Sequence, residues 1–119
     1  MTSQGAGKPF SPREEIPAIA ACEFSGNTYL KEKESGNCVI YSDGSGSVTF
    51  RYLKCDAQLT ALELHCSGNV DITVLSNGVC VGKGNGTHTI PVDIQAGLHE
   101  ITLNFSNPKN LEIMSLCFW

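Results

Sequence analysis

Apolar and polar residues alternate with a period of two through most of this chain. Val48, Phe50 and Tyr52 alternate with Thr49 and Arg51, and Leu62, Leu64 and Cys66 alternate with Glu63 and His65. Val70, Ile72 and Val74 repeat the pattern around Asp71 and Thr73, as do Ile101, Leu103 and Phe105 around Thr102 and Asn104. Such alternation gives a strand one face for a core and one for water. Short stretches rich in Gly, Asn and Ser separate the runs, as at Ser25-Gly26-Asn27, Asp43-Gly44-Ser45-Gly46, Ser67-Gly68-Asn69 and Asn107-Pro108. These residue types suit tight turns. Asn77-Gly78, between residues 70–75 and 79–81, is the sharpest hairpin signal. The pattern predicts an all-β domain: a β-sandwich or jelly roll of about nine short antiparallel strands, with no helix longer than a turn.

Composition narrows the picture. A chain of 119 residues, 41% hydrophobic, can build one core. Pro9, Pro12 and Pro17 favour an extended entry, so residues 1–17 read as a lead-in and residues 18–119 as the domain. Residues 1–7 carry neither the basic nor the apolar stretch of a signal peptide and read as a linker, which points to a module of a larger protein. No apolar run has the length of a membrane-spanning helix. The net charge of −4 argues against a nucleic-acid partner, whose phosphates demand clustered Lys and Arg. Residues 31–34 (KEKE) alternate in sign and read as a solvated strand end or loop. The six cysteines, at 22, 38, 55, 66, 80 and 117, show no metal-binding spacing. They admit two readings, disulfides of a secreted domain or buried free thiols.

Catalytic motifs are absent. There is no GxSxG elbow, and His65, His88 and His99 have no local partner that suggests a triad. Glu23, Glu32, Asp43 and Glu112 are scattered acids rather than a recognisable glycosidase pair. Gly82-Lys83-Gly84-Asn85-Gly86 lacks the closing GK[ST] of a phosphate loop and reads as a hairpin loop. Binding remains, and loops over a rigid sandwich are where binding groups concentrate. Tyr29, Tyr41, Asp43, Glu32, His88, Asn107 and Asn110 are the strand-edge and loop side chains that offer aromatic faces and hydroxyl partners.

Four segments resemble the family-six carbohydrate-binding modules, and the resemblance covers roughly residues 19–118. Ala96-Gly97-Leu98-His99-Glu100-Ile101 is similar to the family's penultimate strand, and Asn110-Leu111-Glu112-Ile113 to its closing turn and strand. Val39-Ile40-Tyr41-Ser42-Asp43-Gly44 is similar to its tyrosine-Asp-Gly segment, and residues 19–24 to its opening strand. The resemblance implies a β-jelly roll that binds plant cell-wall polysaccharide, of xylan, arabinoxylan or β-glucan type, and breaks no bond. Tyr41 would form one wall of a sugar slot, Asn110 and Glu32 would contact the sugar, and His88 stands where the family places a second aromatic wall. The family's structural calcium would take acids at positions occupied here by Ala20 and Cys22, so no cofactor is expected. The lead-in resembles the joint after a family-forty-three glycosidase domain, which implies a catalytic domain in the same parent chain. The missing tryptophan wall and calcium acids leave an alternative, an accessory sandwich that packs on that domain and binds no sugar.

Overall fold

The computed structural model describes residues 14–34, 36, 38–85 and 89–119, with backbone only at 19, 69, 70, 85 and 107–110. Seven β-elements carry nearly all of these residues: β1 (Ile16–Pro17), β2 (Glu23–Glu32), β3 (Cys38–Cys55), β4 (Leu59–Ser76), β5 (Val79–Asn85), β6 (Thr89–Ile94) and β7 (Gly97–Phe118). A single 3₁₀ turn, Ala18–Ala20, links β1 to β2. All pairings are antiparallel, in the order β2-β3-β7-β4-β5-β6, with β1 on β7.

β3, β4 and β7 are long because each passes through both layers of a sandwich. β4 pairs β6 through its first stretch, Leu59↔Ile94 to Glu63↔Thr89, and β5 through its second, Asp71↔Asn85 to Ser76↔Val79. Its register with β7 shifts in between, from Ser67↔Glu112 to Asn69↔Lys109 and Asp71↔Ser106. The register also breaks between Gly26 and Thr28 in β2 and between Ser42 and Gly46 in β3. These breaks form one line across the sheet, along which it folds over. Bulges bend and twist strands in this way. The molecule measures 36 × 35 × 21 Å, and the short dimension is that of two packed sheets. The architecture is the all-β sandwich expected.

The fold explains where local signals misled. Ser67-Gly68-Asn69, Asn107-Pro108 and Asp43–Gly46 read as chain reversals, yet they lie inside β4, β7 and β3. They are corners at which the chain changes layer without reversing. Residues 82–85 read as a loop but lie in β5. Gly82 faces Val92 of β6, and a Cβ there would stand 2.4 Å from the Pro91 carbonyl oxygen. Glycine at that point permits close strand approach rather than flexibility. Asn77-Gly78 is the hairpin turn expected, with φ of 51° and 84°, the pair of positive values that a type I′ turn requires.

The alternating residues of both layers meet in one core. Ile40, Leu62, Leu64, Leu111, Ile113 and Phe118 come from the first layer, and Val48, Phe50, Val74, Ile101 and Leu103 from the second. Ile16 and Ala18, from the entry to the domain, are buried in the same cluster. All six cysteines are free thiols, and burial pushes Cys55, Cys66 and Cys117 above the usual thiol range.

Candidate functional site

Tyr41 sits on the outer face of the first layer, one residue before the bend in β3. The alternation of β3 turns Ile40 and Ser42 inward and Tyr41 outward. Ser42 is fully buried, shares a 2.9 Å hydrogen bond with the Thr28 hydroxyl and donates to the Gly44 carbonyl at 2.8 Å. This satisfied polar clip holds the corner and so fixes the position of Tyr41. Cross-strand pairing sets Tyr29 on one side of Tyr41 and Glu112 on the other. The two tyrosine rings lie 5.3 Å apart, tilted by 50°, within the range of favourable aromatic pairs. Lys31 places its ammonium 4.6 Å from the Tyr41 ring centre, a cation–π contact. Half-exposed Tyr29 therefore presents the more open ring. Burial pushes the Tyr41 phenol above the usual range, and the charge on Asp43 adds to this.

Lys33 Nζ donates to Glu112 Oε1 at 2.7 Å. This bond holds the Glu112 carboxyl below the usual carboxylate range. Tyr29, Tyr41, Lys31, Lys33 and Glu112 thus form one surface of aromatic rings bordered by donors and an acceptor. Such a surface can stack on an apolar ring face and hydrogen-bond hydroxyls.

Glu32 does not join it. Its partner is Cys38, and strand alternation turns it to the opposite side of β2 from Tyr29 and Lys31. Asn110 belongs to β7, next to Leu111, which pairs with Ser42 at the same corner; its side chain, like that of Asn107, lies outside the described atoms. His88 lies outside the described residues. Lys31 and Lys33 were not singled out by sequence. Yet the alternation within KEKE is itself the signal, since a strand puts Lys31 and Glu32 on opposite faces.

The other histidines hold structural hydrogen bonds. His99 pairs with the Ser76 hydroxyl and, through Nε2, with the Gln95 carbonyl at 2.7 Å. His65 Nδ1 lies 3.0 Å from Glu15 and 2.9 Å from Ser115, and its Nε2 lies 3.2 Å from Glu63.

Among the described residues, the acids near the expected calcium positions are not gathered into a donor set. Ala20 and Cys22 bring no carboxylate, and the Cys22 thiol points at the Arg51 carbonyl, 3.9 Å away. Arg51 Nη1 donates to Glu23 at 2.9 Å and Arg51 Nε to Glu100, while Lys33 engages Glu112. Among the described residues no group of three or more His, Cys, Asp or Glu is arranged to hold a metal. Calcium needs several hard oxygen ligands, and the described side chains do not offer them together.

No family model matches the chain, and no curated protein matches it in sequence. Solved structures do match in fold. A family 6 carbohydrate-binding module of Clostridium stercorarium, solved with cellobiose, is 19% identical with a TM-score of 0.76, over 95% of this chain and 98% of that one. A β-1,3-glucan-binding family 6 module of Bacillus halodurans is 18% identical with a TM-score of 0.75, over 93% and 98%. A family 43 arabinoxylan arabinofuranohydrolase of Bacillus subtilis, solved with cellotetraose, is 12% identical with a TM-score of 0.77, over 93% of this chain but 28% of that one. The chain therefore has the β-sandwich fold of the family 6 carbohydrate-binding modules.

Proposed function

We propose that this domain is a non-catalytic carbohydrate-binding module for plant cell-wall polysaccharide of xylan, arabinoxylan or β-glucan type. The observation that carries the reading is the Tyr29–Tyr41 pair, displayed beside the bend on a fold whose near full-length matches include modules solved with or binding glucans. In this reading Tyr29 and Tyr41 contact the ring faces of the sugar. Glu112 and Lys33 contact its hydroxyls, and Asn110 adds an amide from the same corner. No metal takes part. The domain serves a catalytic domain in the same parent chain by holding it on the polymer, since tethering raises effective concentration. A fold match to part of a family 43 hydrolase supports that partnership. Electrophoresis of the domain through gels containing xylan, arabinoxylan, β-glucan or mannan tests the reading. Retardation in one of the first three is expected. Free migration in all four gels would favour the accessory sandwich that binds no sugar.

A further inference from the structure

Beyond Glu112 the same sheet face opens into a cavity of about 610 Å³, in the size range of small-molecule sites. It begins where the tyrosine surface ends. Strand alternation places Val39 one pleat repeat from Tyr41, about 7 Å along β3, and Met114 stands in the same relation to Glu112 on β7. Val39 and Met114 give the cavity an apolar floor, and the Lys33–Glu112 pair stands on the border between the two regions.

The far end is polar. Ser115 Oγ donates to Glu15 Oε2 at 3.0 Å, and His65 Nδ1 lies 2.9 Å from that hydroxyl. Glu15 comes from the entry segment, which β1 and the buried Ile16 anchor against β7. The wall it forms is thus part of the folded domain. Donors and acceptors alternate around the cavity: the Lys33 ammonium, the Glu112 carboxylate, the Ser115 hydroxyl, the Glu15 carboxylate. A hydroxyl is the group that can donate to one of these and accept from the next. The ionised groups that line it are already engaged, Lys33 with Glu112 and Glu15 with Ser115 and His65, and a single lysine is no cluster of cations for a strongly anionic ligand. None of the described residues that line it is aromatic, so its recognition is of hydroxyl pattern rather than of ring faces.

We infer that this cavity is a second subsite for the same glycan, taking neutral sugar units of a chain that starts on the tyrosine pair. The inference rests on the carbohydrate-binding reading above. It makes affinity depend on chain length: short oligosaccharides occupy the tyrosines alone, and longer ones reach the cavity.

Calorimetric titration with a series of cello- and xylo-oligosaccharides of increasing length tests this on wild type, Met114→Arg and Tyr29→Ala. Met114 is half exposed, so the longer arginine can project over the cavity floor and obstruct it; an unchanged melting temperature verifies the fold. Affinity of the wild type should rise with length. Met114→Arg should lower the affinity of the longest ligand by about tenfold, towards that of the shortest, whose own affinity changes less than about twofold. Tyr29→Ala should weaken every length. If Met114→Arg leaves the length dependence intact while Tyr29→Ala weakens all ligands, the cavity is no subsite and the carbohydrate reading stands. If no length binds the wild type, both fall together.

Discussion

At the scale of single residues, the site is a matter of which neighbours share a face. Tyr41 is singled out by the resemblance of its segment to the family's tyrosine-Asp-Gly segment, and the structure gives it an outward position held by the Ser42–Thr28 clip. Glu32 could not be judged in the same way. Alternation puts it on the opposite face from Lys31, but which of the two faces carries Tyr41 is decided only by pairing, which sets Tyr29 beside Tyr41 and Glu32 beside Cys38. The Lys33–Glu112 pair carries its own prediction. The bond to Lys33 lowers the Glu112 pKa in the folded state, so folding gains stability above the ordinary carboxylate range. That gain is lost as pH falls through the lowered value. Melting temperatures of wild type and Lys33→Met should differ at pH 7, draw together as pH falls below the ordinary value of 4.5, and coincide below the lowered one. A gap that persists into acid would show that the pair acts through packing rather than charge.

At the scale of elements, period-two alternation made the strands legible, because each layer buries one face. Turn chemistry was legible only where the chain truly reverses, as at Asn77-Gly78. Gly and Asn also serve corners, and local sequence does not distinguish a corner in a continuing strand from a hairpin. What decides is pairing on both sides, and β7 pairs with β3 and β4 on either side of its own corner. The glycines of β5 show the same ambiguity. Gly82→Ala should destabilise the domain by about 1–3 kcal/mol through overpacking against the Pro91 carbonyl, measured by urea unfolding. An unchanged midpoint would mean that β5 and β6 can separate at little cost.

At the scale of the whole molecule, one folded sheet closes a core from residues 16 to 118 and carries the tyrosine pair at its corner. Arg51 bridges Glu23 and Glu100 across the outer face of the second layer, and these bonds keep its guanidinium charged. Acids that a metal would need are thereby engaged by protein cations. The melting temperature should accordingly move by less than about 1 °C on adding either EDTA or excess calcium, since a ligand that does not bind the folded state cannot stabilise it. A rise with calcium that EDTA reverses would reveal a metal site. In the proposed function, the tyrosine corner is what makes this sandwich a glycan binder. The most direct test is the retardation of wild type, Tyr29→Ala and Tyr41→Ala side by side in xylan and β-glucan gels. Wild type should be retarded in at least one gel, while both variants, folded to the same melting temperature, migrate freely. Equal retardation of all three proteins would contradict that role of the corner.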